Sequence, residues 1–286
     1  MSIGARGLGR HAALLTLVGV ALLCVAPLVW MVSTSLKPSD QTMQTTPTLL
    51  PRPVSQTPRF AAENYSAVWT DETVNFPLYL RNTLVIAILG TIGMTLSSAI
   101  AAYGFARVSW RGRGPLFVVL LATMMVPFPV LMTTLYIIFA KIGWIGTFRP
   151  LWVPAFFGGA FSIFLLRQFF RGLPTELDEA ARIDGCSHWG IFWRIAMPLS
   201  RPALAVVAIL HFTYTWNDFI GPLIYLTHRD QFTLSLGLQM FQSKAGNTPW
   251  NHLMAASVMV VAPVLILFFL AQRTFVEGVS MEGLKE

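Results

Sequence analysis

Long apolar runs separated by short polar stretches dominate this chain. Six stand out, at about 12–34, 79–102, 115–138, 150–170, 203–226 and 252–275. About 20 apolar residues at 1.5 Å rise carry a helix across the hydrocarbon core of a bilayer, so each run reads as a membrane span. The pattern predicts an all-α polytopic membrane protein, with six transmembrane helices in a single domain, 1–286. Pro127 and Pro129 interrupt the third run in "MMVPFPVLM". Each removes a backbone donor and crowds the preceding turn, which predicts a kink or break there.

The polar segment 171–202, between the fourth and fifth runs, breaks the apolar pattern. It contains "ELDEAARIDGCSHWGIFWRIAMP", Glu176 to Pro198. Pro174 closes the fourth run, and Thr175 stands as N-cap with Asp178 three residues later, close to a capping box. Glu176, Asp178 and Glu179 suit the positive end of a helix dipole, and Gly185 suits a left-handed closing position. The signals predict a short helix over Glu176–Asp184 and a second from about Ser187 to Ala196, ending before Pro198. The first is too charged for lipid and too short to cross it. Leu177, Ala180, Ala181 and Asp184 share one face by helical spacing. That face is either offered to a groove on another protein or belongs to a hairpin that only connects two spans.

Composition supports the membrane reading. Hydrophobic residues make up 55% of the 286 and charged residues 12%, about half the charged share usual for a soluble domain. Mean hydropathy is +0.61. The first run follows Arg6, Arg10 and His11. It is longer than a signal-peptide core of about 7–15 residues and no clean cleavage site follows, so an uncleaved span is expected. Lys and Arg favour cytoplasmic loops, and "ARVSWRGRG", with Arg107, Arg111 and Arg113, is the densest basic loop. Both termini are therefore expected inside, which leaves Lys37 and Lys244 in outer loops. A net charge of +7 then suits anionic lipid on the inner face and requires no nucleic acid. Cys24 in a span and Cys186 in an inner loop are not expected to pair.

The outer loop from Lys37 to Phe76 carries Pro47, Pro51, Pro53 and Pro58. It reads as extended, polyproline-like chain followed by a short surface helix in "AENYSAVW". It is either a linker or a docking surface for an extracytoplasmic partner. The tail "VEGVSMEGLKE" reads as an inner polar segment, disordered or touching a partner. No phosphate-binding Gly-rich loop, metal-ligand cluster or nucleophile elbow occurs, so the chain is read as no enzyme and as binding no cofactor or metal itself. Asp218 lies in the fifth run, in "HFTYTWNDFIGPL". A charge at that depth costs about 2.5–3.5 kcal/mol on insertion scales and should face a cavity or a partner. Asn217 and Asp218 are thus candidates either for a solute pathway or for a polar knot between helices. Tyr214 and Trp216 are candidates to stack on a sugar, or to pack. Ala255 and Ala256 in the sixth run suit close helix packing.

The spacing in 179–198 resembles the EAA loop, the cytoplasmic coupling loop of bacterial ABC importer permeases. Glu179, Ala180 and Ala181 are followed by Gly185, then by Ile195 and Pro198. "MVSTSLKP", "LRNTLVIA", "AAYGFAR" and "TWNDF" look like the maltose- and glycerol-phosphate-type, carbohydrate-uptake permeases across nearly the whole chain. By that resemblance, Glu179, Ala180, Ala181, Arg182, Asp184, Gly185, Ile195 and Pro198 would couple the chain to an ATPase dimer on the cytoplasmic face. ATP and Mg would be bound by those ATPase subunits. A second, different permease, an extracytoplasmic solute-binding protein and membrane lipid would complete the partners. The chain would supply half of a sugar or oligosaccharide pathway in the cytoplasmic (inner) membrane of a bacterium or archaeon. The alternatives are a non-sugar solute such as glycerol phosphate or polyamine, and an ion-coupled secondary transporter, which should carry more carboxylates within its spans than Asp218.

Overall fold

A computed structural model describes residues 3–242 and 248–280. The described residues form helices joined by turns, and no strand occurs among them. In chain order the first helices are α1 (Ile3–Ser35), α2 (Thr57–Trp69), α3 (Phe76–Arg107), α4 (Arg113–Thr123) and α5 (Phe128–Lys141). Next come α6 (Arg149–Trp152), α7 (Ala160–Gly172), α8 (Glu176–Ile183), α9 (His188–Ile191) and α10 (Met197–Leu199). Last are α11 (Arg201–Trp216), α12 (Ile220–Tyr225), α13 (Leu234–Gln242) and α14 (Trp250–Ser280). Lys244 and the tail from Met281 lie outside the described residues.

Among the described residues, four helical stretches are long and apolar enough to cross a membrane: Ala13–Ser35, Phe76–Arg107, Arg149–Gly172 and Trp250–Gln272. Two further pairs qualify only when joined across a sharp bend. These are α4 with α5, at 96°, and His188–Leu199 with α11, at 77°. The expected break in the third run is therefore a near right-angle bend, with Pro127 standing before α5 in extended conformation. The fifth run is not one helix either, since α11 stops at Trp216 and α12 begins at Ile220.

The chain packs as two compact units. The first holds the residues up to Phe76 together with Gly237–Pro263. Here α1 exposes apolar side chains from Leu14 to Val32, a surface suited to lipid. The polyproline expectation fails at its end: Thr57–Phe60 belongs to α2, because Pro58 sits in the first turn, where its missing N–H costs nothing. Ala255 and Ala256 are fully buried, as close packing requires.

The second unit holds Pro77–Leu236 and the chain from Val264. Its core joins α3, α4, α7 and α11 to the segment 181–196, through Tyr103, Phe117, Leu166, Phe170, Phe192 and Val207. Between α6 and α7 the backbone leaves the α-helix in a 3₁₀ turn, Val153–Phe157. Irregular backbone at membrane depth needs partners within the protein, and α3 supplies them. Ser97 Oγ donates to the Ala155 carbonyl at 3.1 Å, and Ser98 Oγ accepts from the Gly159 N–H at 3.2 Å. Gly93 on α3 leaves room for the Phe156 ring, which a Cβ there would strike.

Candidate functional site: the α8 loop and the α11–α12 cavity

Helix α8 is closed as its sequence predicts. Gly185 takes φ +81°. Its N–H donates to Arg182 O at 3.0 Å and the Cys186 N–H donates to Ala181 O at 2.8 Å, the bond pair of a Schellman closure. Its start differs from the expectation. The Thr175 side chain makes no capping bond; its carbonyl accepts from the N–H groups of Asp178 and Glu179. The Asp178 carboxylate instead turns inward, 3.4 Å from Arg107 Nε. The second helix starts as expected, with Ser187 Oγ accepting from the Gly190 N–H at 3.3 Å. It does not stop before Pro198: a π-helical stretch, Phe192–Ala196, runs on into α10. Proline frees the carbonyl four residues back, and a widened turn accommodates that.

Burial sorts the predicted residues. Asp178 and Ala181 face the core of the second unit, whereas Glu179, Ala180, Arg182, Asp184 and Gly185 are exposed. The expected face of Leu177, Ala180, Ala181 and Asp184 is thus divided: Ala181 packs inward and the other three point out. Ile195 is half-buried and packed against the core, and Pro198 is exposed at the bend. These two shape the turn into α11. Ile183, 87% exposed, completes the outward face three residues after Ala180. Its signal in the sequence is a large apolar side chain at the end of a charged helix. Arg107 has no such signal, because its partner lies far along the chain.

The second candidate is a cavity of about 1110 Å³ in the second unit, walled by α11, α12, the 150–158 turn and Val264–Phe268 of α14. Tyr214, Asn217 and Asp218 line it, together with His211, Thr213 and Thr215. Trp216 does not: it is 2% exposed and stacks on Phe212 at 5.4 Å between ring centres. Tyr214 is 64% exposed. The Asn217 amide donates to Thr213 O at 2.8 Å. Asp218 Oδ1 accepts the Gly221 N–H at 3.1 Å, so the carboxylate caps α12. Gly221 is required beside it, because a Cβ there would strike Asp218 Oδ2 and approach Leu151 to 2.9 Å.

This cap separates two substitutions. Asp218→Asn keeps an oxygen at the same place and is expected to melt within a degree or so of the natural permease. Asp218→Ala loses the cap, worth about 0.5–2 kcal/mol, and should melt on the order of 2–4 °C lower. Thermal unfolding of the purified chain measures both. Equal melting of the two variants would show that the carboxylate is not a cap.

The family model described as "Binding-protein-dependent transport system inner membrane component" matches residues 92–280. The arabinooligosaccharides transport system permease protein AraQ of Halalkalibacterium halodurans is 34% identical over 266 residues, which is 93% of each chain. The trehalose/maltose transport system permease protein MalG of Thermococcus litoralis is 34% identical over 267 residues, again 93% of each. The sn-glycerol-3-phosphate transport system permease protein UgpE of Yersinia pestis is 32% identical and covers 96% of each. In fold, the chain is similar to one from the crystal structure of a bacterial ABC transporter involved in the import of the acidic polysaccharide alginate. The TM-score is 0.80 at 23% identity, over 96% of this chain and 98% of that one.

Proposed function

The chain belongs to the family of binding-protein-dependent transport system inner membrane components, and we propose that in this setting it forms half of a sugar or oligosaccharide pathway driven by partner ATPases. It is a membrane permease of the carbohydrate-uptake ABC type and not an enzyme. The observation that carries the solute class is end-to-end similarity to permeases named for arabinooligosaccharide and trehalose/maltose transport. A second reading, glycerol phosphate as solute, rests on the similarity to UgpE.

The working cycle is alternating access. An ATPase pair carrying ATP and Mg docks on α8 from the cytoplasm, a second and different permease supplies the other half of the pathway, and an extracytoplasmic binding protein delivers the solute. Both termini face the cytoplasm, in the inner membrane of a bacterium or archaeon. Closure of the ATPases draws α8 with it and favours the outward-facing state. A partner shifts such an equilibrium only by binding its two states unequally, so the docked helix must occupy different positions in each. Tyr214, Asn217 and Asp218 then face the solute, while Trp216 supports them from behind. In purified complex carrying its binding protein, saccharides are expected to stimulate ATP hydrolysis. Stimulation by glycerol phosphate alone would select the second reading, and no stimulation by either class would refute the pathway.

The outward face of α8 gives a sharper test. Ile183→Glu adds a charge at an exposed position and should leave the permease's own melting unchanged. A buried apolar contact of this size stabilises an interface by about 1.5–3 kcal/mol, so retention of ATPase subunits on the purified permease is expected to fall ~10-fold or more. Full retention with normal uptake would move the docking surface elsewhere.

A further inference from the structure

The side chain of Arg107, the last residue of α3, is 6% exposed and grips the start of α8 at two points. Its Nη2 donates to the Pro174 carbonyl at 3.1 Å, and its Nε faces Asp178 Oδ2 at 3.4 Å, where the Asp178 side chain is 12% exposed. Among the described residues, these are the side-chain polar ties between the 174–200 loop and the membrane helices. The loop's other attachments are apolar: Ala181, Ile191, Phe192 and Ala196 lie in the core. Contacts between apolar surfaces resist separation but permit sliding. The Arg107 hydrogen bond to Pro174 O is directional, and together with the ion pair to Asp178 it resists both.

The seam is also incompletely bonded. At 3.4 Å, Arg107 Nε is too far for a well-formed hydrogen bond, and it has no other partner. The buried Tyr103 hydroxyl, also on α3, has no hydrogen-bond partner either, although Asp178, Arg107 and Arg182 lie within its electrostatic reach. Arg107 Nε thus faces a carboxylate with acceptor capacity to spare. A shift of about 0.5 Å of α8 toward α3 would bring this pair to ordinary charge-assisted hydrogen-bond distance.

We infer that the Arg107–Asp178 pair is the link through which displacement of α8 reaches the membrane helix α3, with Arg107 and Asp178 as positioning residues for transport. The inference rests on the docking of α8 to an ATPase proposed above. Removing one partner leaves a buried charge without its counterpart, whereas replacing both with amides leaves a neutral pair able to hydrogen-bond.

The test uses the whole importer in proteoliposomes, with Arg107→Gln, Asp178→Asn and the double variant, each carrying Ala180→Cys as a cross-linking probe. The readout is solute transported per ATP hydrolysed. Each single variant is expected to lower that ratio ~10-fold or more, and the double variant to recover it to within about 3-fold of the natural complex. A natural ratio in either single variant overturns the inference, as does a double variant whose loss equals the product of the two single losses. If a single variant fails to accumulate, the ratio in the double variant decides alone: recovery supports the link and a ~10-fold loss overturns it. Absence of cross-linking from Ala180→Cys to the ATPase in the otherwise natural permease would instead refute the docking itself.

Discussion

Gly185→Pro is expected to abolish solute uptake while leaving the permease inserted in the membrane. Gly185 closes α8 with φ +81° and donates its N–H to Arg182 O. Proline holds φ near −65° and has no N–H, so it removes both features at once. The left-handed turn then opens, and the segment from Cys186 onward leaves α8 in a new direction. Nothing lies within 4 Å of a Cβ built at this glycine, so the cost of other substitutions is conformational alone. That predicts a graded series. Gly185→Asn should retain uptake within about 2-fold, because asparagine tolerates the left-handed region. Gly185→Ala costs about 1–2 kcal/mol and should fall between. Initial uptake rates, normalised to permease in the membrane, measure the series. Normal uptake with proline would mean that the geometry of the α8 closure does not matter to transport.

Local features were the ones readable from the sequence. Gly185, Ser187, Pro127 and Pro58 each act on backbone within a turn or so of themselves, and three of the four do as their residue type predicts; Pro58 reads as extended chain because its first-turn helical use looks the same in sequence. Apolar runs located the membrane helices but not their interruptions. The gap between Trp216 and Ile220 has no proline or glycine of its own; it is set by a carboxylate turned back onto the next helix and by the Ser235 hydroxyl, which donates to Asp218 O at 2.7 Å.

Thr175 was misread for a related reason. The pattern of a near capping box was present, but Arg107 competes for the Asp178 side chain, and a buried ion pair with a distant residue leaves no trace in local spacing. The same holds for the division of α8 into faces. Helical spacing groups Ala181 with Leu177 and Ala180, because it gives a stripe's width without the direction of the core. Likewise Tyr214 and Trp216 are equally plausible ring platforms by composition, and only the packing of Trp216 on Phe212 separates the lining residue from its support.

The largest effect on stability is expected at Asn64, in the unit that holds α1 and α2. Its buried amide donates to the carbonyls of Ser35 and Lys37, both at 2.8 Å, and its Oδ1 accepts from Asn251 Nδ2 at 2.7 Å. One side chain thereby ties the end of α1 to α2 and to the first turn of α14. Lys37 is 1% exposed. Burial pushes its ammonium below the ordinary lysine value; its Nζ donates to Thr48 O and lies 4.5 Å from the centre of the Trp30 ring. Asn64→Leu leaves two carbonyls and one amide without partners, at about 1–3 kcal/mol each. Against a typical stability of about 5–15 kcal/mol, that predicts little folded permease in the membrane. Asn251→Leu should cost much less, because its Oδ1 already lacks a partner and only one acceptor on Asn64 is orphaned. Thermal unfolding of both variants, with membrane abundance alongside, gives the comparison. Equal losses at the two positions would mean that the carbonyls of Ser35 and Lys37 find other donors, and that Asn64 does not hold this unit together.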